Sequence, residues 1–258
     1  FEIGSDGMGV IAEILERKNI FSRKEKGRHN REDVIAANVD LVIIIQSFYK
    51  PRLNLRFVDR LAVRAQMDSI PVLACFNKSD LADEEDEQYV CSYYSCSGID
   101  IICTSAVKGR GLDELKSCVY GKTSLLVGYS GSGKTSILNA LFPGIALRIS
   151  DVSDKTGKGR HTTTNVEMIE PEKGFRLIDT PGVREFGLID LHPNELEAYF
   201  DDFTEARRRC AFKPCTHEHE PNCEVQRLVD AGAIHPDRYL SYLYLLASLK
   251  EYHSRLYS

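Results

Sequence analysis

The 258-residue sequence predicts an α/β fold, a doubly wound and mostly parallel sheet, followed by a small helical tail. Three observations carry this. From Ala37 onward, apolar runs of strand length alternate with helix-length stretches, as in sheets covered on both faces. One such run, "SLLV", leads into "GYSGSGKT" (Gly128 to Thr135) and then "SILNAL", a strand, glycine-rich loop and helix in the order of a phosphate-binding loop. After Leu188 the alternation stops, and cysteines and histidines crowd together.

Composition narrows the class. The chain is 43% hydrophobic and 28% charged, ordinary for a globular protein. A net charge of −5 gives no global nucleic-acid signal, so any RNA contact must come from a local patch. No apolar run approaches the roughly 18 residues of a membrane span, and no secretory signal is visible. A cytoplasmic monomer without a membrane partner is expected. The sequence opens on Phe1 and not Met, so further residues are expected ahead of it. Of eight cysteines, Cys75, Cys91, Cys96, Cys103 and Cys118 are scattered; Cys75 and Cys103 sit in apolar runs as small buried side chains. Cys210, Cys215 and Cys223 cluster with histidines, which suggests a metal and not a disulfide.

Alternation around Val10 to Leu15 predicts a strand. Between Arg17 and Arg31 there are seven Lys or Arg against one acid, Glu25, which reads as a solvated linker or an RNA-facing loop. "LVIIIQS" is a strand; Leu53, Phe57, Leu61 and Ala65 at i, i+4 spacing form a helix. "IPVLACFNKSD" is a strand running into a polar loop, followed by an acidic stretch around Asp83 to Glu87. "IDIICTSA" is another strand and Leu112 to Val119 a short helix. The glycine-rich unit comes next, then strands at "VEMIE" and "FRLIDTPG". "HPNELEAYFDDFTEARRR" reads as a helix after a proline boundary, and "HPDRYLSYLYLLASLKEYHSRL" as a C-terminal amphipathic helix. The expected division is 1–36, 37–188 and 189–258. The last part is too small for a large core of its own, so a metal staple makes physical sense.

The loops at the strand ends carry the chemistry. In "GYSGSGKTS", Gly128, Tyr129, Ser130, Gly131, Ser132 and Gly133 let backbone N–H groups close around phosphate oxygens at the positive end of a helix that opens with Lys134, Thr135 and Ser136. Lys134 would reach the β- and γ-phosphates, and the Thr135 hydroxyl would hold Mg²⁺. In "DTPG", Asp179 would hold Mg²⁺ directly or through water, and the Gly182 N–H would approach the γ-phosphate. "NKSD" (Asn77, Lys78, Ser79, Asp80) selects the base: the Asp80 carboxylate accepts the N1–H and N2–H of guanine, which adenine does not offer. Asn77 would tie this loop to the phosphate loop, and Lys78 would lay its stem over the base. In "TSA", Ser105 and Ala106 can offer a backbone N–H to guanine O6. GTP, with GDP as product, is therefore favoured; a kinase or ATPase with an accidental "NKSD" is the rival.

The order is unusual: "NKSD" and "TSA" precede the phosphate loop. A parallel sheet tolerates this, because site loops gather at the carboxyl ends of strands whatever the chain order, and termini that lie close together permit circular permutation. Where many GTPases place a water-positioning Gln, this chain has Val183. His161 in "GKGRHTTTN" is the best candidate for that task, with Thr162 or Thr163 sensing Mg²⁺. An arginine from a partner, or Arg160, is the competing source. Cys210, Cys215, His217 and Cys223 give C-x₄-C-x-H-x₅-C, three thiolates and an imidazole suited to one tetrahedral structural Zn²⁺, with His219 as an alternative to His217.

"RKNIFSRK", "IAANVDLVIII", "FNKSD", "GYSGSGKTSILNAL", "GRHTTT", "LIDTPGVREFGL" and the Cys/His cluster together resemble the circularly permuted GTPases that depend on the small ribosomal subunit, the RsgA or YjeQ family. The resemblance covers nearly the whole chain. It implies an N-terminal OB-fold, a permuted P-loop GTPase domain and a C-terminal zinc domain with His217 in the ligand place. Fewer residues precede Ala37 than an OB barrel needs, so a remnant OB-like β segment is expected. It further implies hydrolysis of GTP to GDP and phosphate stimulated by the ribosome, contact with the small subunit and its rRNA late in maturation, and hydrolysis driving release. The alternative is a ribosome- or RNA-binding module that holds guanine nucleotide with little catalysis.

Overall fold

A computed structural model describes residues 2–3, 9–24, 32–143, 166–180, 187–188 and 190–256. Near the start lie two small antiparallel pairs. Glu2–Ile3 (β1) pairs with Gly9–Val10 (β2), and Ile20–Lys24 (β3) with Glu32–Ala37 (β4). The strand expected over Val10 to Leu15 stops at Val10. Ile11, Ile14 and Leu15 are exposed and, among the described residues, pair with no strand, so alternation alone could not hold them in a sheet. Asn19 joins the second pair to the segment that enters the main sheet: its side chain accepts from Val39 N and donates to Val39 O, both at 2.8 Å.

The main sheet is built from Leu41–Ser47 (β5), Val72–Asn77 (β6), Asp100–Cys103 (β7), Thr123–Gly128 (β8), Glu167–Ile169 (β9) and Arg176–Asp179 (β10). Their order is β7-β6-β5-β8-β10-β9, and every neighbour pair is parallel except β9 with β10. β5 is buried throughout because strands flank it on both edges and helices cover both faces. Val42 and Ile44 pack under Phe57, Val58 and Leu61 of Leu55–Met67 (α1) and Val90 and Tyr94 of Glu84–Tyr94 (α2). Leu41, Ile43 and Ile45 face Leu115 and Val119 of Leu112–Val119 (α3) and Ile137 and Leu138 of Lys134–Leu141 (α4).

Two caps explain where the first helices start. The Asn54 side chain accepts from Phe57 N at 3.1 Å, and Asp83 and Asp86 form a reciprocal capping box. The acidic stretch around Asp83 to Glu87 is thus the first turn of α2, where carboxylates favour the positive helix end.

The single helix expected after His192 is broken. It divides into 3₁₀ turns at Pro193–Tyr199 and Asp201–Phe203 and a short helix at Thr204–Arg207 (α5), with Phe200 in extended backbone between them. The break lets Phe200 and Asp202 both face Arg238: the guanidinium lies 4.3 Å from the Phe200 ring centre and Nε lies 3.1 Å from Asp202 Oδ2. Glu224–Asp230 (α6) and the long Pro236–Leu256 (α7) complete the tail. Its core joins Leu196, Phe200 and Phe203 to Tyr242, Leu246 and Leu249, and takes in Val63 from α1.

A buried polar knot locks this tail to the sheet's helices. Asp59 of α1 pairs with Arg238 and accepts from Tyr93 and Ser241, both at 2.5 Å, and from Tyr94 at 3.0 Å. No helix among the described residues is long and apolar enough to cross a membrane.

Candidate functional site

The loops after β5, β6, β7 and β8 meet at one end of the sheet, the end at which β10 finishes with Asp179. The loop from β8 to α4 owes its path to two glycines. A Cβ on Gly128 would lie 2.2 Å from Ile45 O, and one on Gly133 would lie 2.1 Å from Asn77 Nδ2. Gly133 also has φ +97°, a region that L side chains avoid.

Asn77 is the clasp of the site. Its Nδ2 donates to Ser132 O at 3.1 Å, while its Oδ1 accepts from Thr104 Oγ1 and Ala106 N, both at 3.3 Å. One side chain thereby joins the glycine-rich, "NKSD" and "TSA" loops. Lys78, with φ +63°, sends Nζ to Lys50 O and, at 2.8 Å, to Gly131 O. Ser79 is buried, and its Oγ has no partner among the described residues. Asp80 accepts from Ser105 Oγ, which in turn accepts from Lys108 N at 3.1 Å. Tyr129 stacks on Phe57 with ring centres 4.1 Å apart.

The Lys134 and Asp179 side chains are arranged beside these. Lys134 Nζ donates to Gly128 O at 2.8 Å and Tyr129 O at 3.1 Å. Burial pulls its ammonium below the usual lysine range, partly offset by Asp179. Burial likewise pushes the Asp179 carboxyl up, partly offset by Lys134. Asp179 Oδ1 and Ser132 Oγ are buried without a hydrogen-bond partner among the described residues. An orphaned carboxylate oxygen fits a cation, because burying it unmatched is costly. Thr135, Ser136, Ser130 and Gly131 are exposed along the same rim. Arg160, His161, Thr162, Thr163, Gly182 and Val183 lie outside the described residues.

The second cluster lies in the tail. Cys210, Cys215, His217 and Cys223 are all buried, with candidate ligand atoms within 4.8 Å of one another. Cys223 Sγ lies 3.9 Å from both other sulfurs and 3.3 Å from His217 Nδ1. Burial pushes the Cys215 thiol up to about 12 and raises that of Cys223, a cost that a bound cation would reverse by stabilising thiolates. The three-sulfur, one-nitrogen set fits Zn²⁺. His219 is exposed and turns to Glu218 at 3.4 Å, away from the cluster. Sequence reasoning missed Glu197, whose Oε2 lies 2.7 Å from His217 Nε2. Its only sequence signal is an acid in the preceding segment, which the broken helix hides.

Fold and sequence together define a P-loop GTPase whose "NKSD" and "TSA" loops precede its glycine-rich loop. The chain belongs to the RsgA GTPase family, which matches residues 14–189. It is 40% identical over 247 residues to the small ribosomal subunit biogenesis GTPase RsgA of Chlorobaculum parvum, spanning 94% of this chain and 79% of that one. The protein of the same name from Phocaeicola vulgatus is 36% identical over 96% of this chain and 81% of its own. Among solved structures, YjeQ from Thermotoga maritima is similar with a TM-score of 0.74 at 33% identity, covering 95% of this chain and 80% of that one. YloQ, a circularly permuted GTPase, gives 0.69 at 26% identity, covering 93% and 74%.

Proposed function

We propose that this chain binds the small ribosomal subunit through its rRNA late in maturation, as a monomer, and hydrolyses GTP to GDP and phosphate when the subunit stimulates it. The observation that carries the reading is Asn77, which binds three motif loops into one rim at the strand ends. Family membership and the names of the relatives support the partner.

In this reading Asp80, Ser105 and Ala106 read guanine, and Lys78 covers the base. Asn77 and Ser79 brace that loop. The backbone of residues 128–133 with Lys134 and Ser136 cradles phosphates, and Thr135 and Asp179 hold Mg²⁺. Mg²⁺ neutralises charge on the β- and γ-phosphates when bound. Thr162 or Thr163 senses Mg²⁺, and the Gly182 N–H approaches the γ-phosphate. The working division is 1–36, an OB-fold-like β segment with a basic linker; 37–188, the GTPase; and 189–258, the zinc-bearing part.

The decisive experiment measures multiple-turnover phosphate release with and without small subunits. Turnover that the subunits do not raise would leave only a nucleotide-holding module. GTP should also raise affinity for the subunit above that of GDP, and by reciprocity the subunit should tighten GTP by the same factor. His161→Ala is expected to cut stimulated turnover while sparing GTP affinity, because positioning water matters in the transition state. Normal turnover of that variant on the subunit would assign the water to another group.

The metal reading gives a separate expectation. Cys215→Ser or zinc removal should unfold the tail at lower temperature while leaving most nucleotide binding intact, since the ligands lie off the sheet. Elemental analysis of freshly purified protein should return about one zinc per chain, as a closed four-ligand set implies. A metal-free preparation with an unaltered tail would end this reading.

A further inference from the structure

We propose that Glu197 is the positioning residue of the metal centre: its carboxylate takes the Nε2–H of His217 and so commits Nδ1 to the ion. The inference rests on the metal reading and goes beyond it by fixing the coordinating atom and adding a residue outside the four ligands.

A neutral imidazole has one N–H and one lone pair. Which nitrogen keeps the proton is decided by what the other faces. His217 Nε2 lies 2.7 Å from Glu197 Oε2. Its Nδ1 lies 3.3 Å from Cys223 Sγ and 3.7 Å from Cys210 Sγ. A carboxylate only accepts, so the proton sits on Nε2 and the Nδ1 lone pair faces the sulfurs.

The ring is held in that pose from several sides. It is fully buried and meets the Phe203 ring edge-on, with centres 5.6 Å apart. The His217 carbonyl accepts from Tyr239 OH at 2.6 Å and Gln226 Nε2 at 3.1 Å. The backbone at His217 takes φ +59°, an uncommon conformation for a residue with a side chain. A carboxylate behind a ligating imidazole fixes its tautomer and raises its basicity. Glu197 comes from the Pro193–Tyr199 turn, upstream of all four ligands, so the ion is braced by a segment it does not touch.

The competing account is a plain ion pair between Glu197 and a protonated His217, with no bearing on the metal. The test uses the full chain loaded with zinc, with Glu197→Ala and Glu197→Gln beside the parent. Zinc affinity is read by competition with a chromophoric chelator, and the His217 ring by ¹H–¹⁵N NMR. Glu197→Ala should lose about 10–100-fold in zinc affinity. Glu197→Gln, whose amide oxygen still accepts from Nε2–H, should recover most of that loss. The parent's spectrum should show a protected Nε2–H and a metal-bound Nδ1. Equal zinc affinity in parent and Glu197→Ala, or a metal-bound Nε2, would overturn the proposal. If Glu197→Ala fails to fold, the tautomer seen in the parent and in Glu197→Gln decides alone. Absence of zinc from the purified parent would instead remove the metal reading itself.

Discussion

Arg238→Met is expected to destabilise the protein by about 3–5 kcal/mol, the usual cost of removing one partner from a buried ion pair. Arg238 and Asp59 are both essentially inaccessible, at 1% and 0% side-chain exposure, and Asp202 is at 3%. Burial works against the charged guanidinium, and Asp59 and Asp202 more than offset it. Methionine fills much of the space between Phe200 and Tyr94 but leaves the buried Asp59 and Asp202 carboxylates without their cation. Urea unfolding of parent and variant measures the loss. Adding Asp59→Asn should cost less than the sum of the two single changes, because the second removes a charge the first left stranded. A loss below about 1 kcal/mol, the range of exposed pairs, would show that water reaches the knot.

Asp80→Asn should lower GTP affinity about 10–100-fold, since hydrogen bonds to a charged group contribute about 1.5–3 kcal/mol. It should also raise affinity for xanthosine triphosphate, whose O2 accepts where guanine N2–H donates. The loop itself should survive: Ser105 Oγ donates to Asp80 Oδ1, and an amide oxygen accepts equally. Competition against a fluorescent guanine nucleotide measures both affinities. Unchanged GTP binding would remove Asp80 from the base contact.

The meeting of the motif loops was legible because each motif is local in sequence. "GYSGSGKT" carries strand, loop and helix start in one stretch, and β8 and α4 fall on either side of it. "NKSD" and "TSA" sit at the ends of apolar runs, so a parallel sheet brings them together. The four metal-site residues lie within one short window. What stayed hidden is long-range. Asp59 and Arg238 are 179 positions apart, and each looks like an ordinary charge on a helix. Glu197 reads as a solvated acid until the backbone breaks at Phe200. The expected strand through Leu15 failed for the opposite reason: its pattern was right, but a strand needs a neighbour, which alternation does not specify.

The knot around Asp59 also has a meaning in time. Synthesis runs from the N-terminus, so α1 and its carboxylate emerge long before Arg238 of α7 exists. Until then α1 holds a charge it cannot bury cheaply. A nascent chain interrupted before α7 therefore lacks both Arg238 and Ser241 as partners for Asp59. α7 is thus the element that supplies the counter-charge α1 needs, late in synthesis.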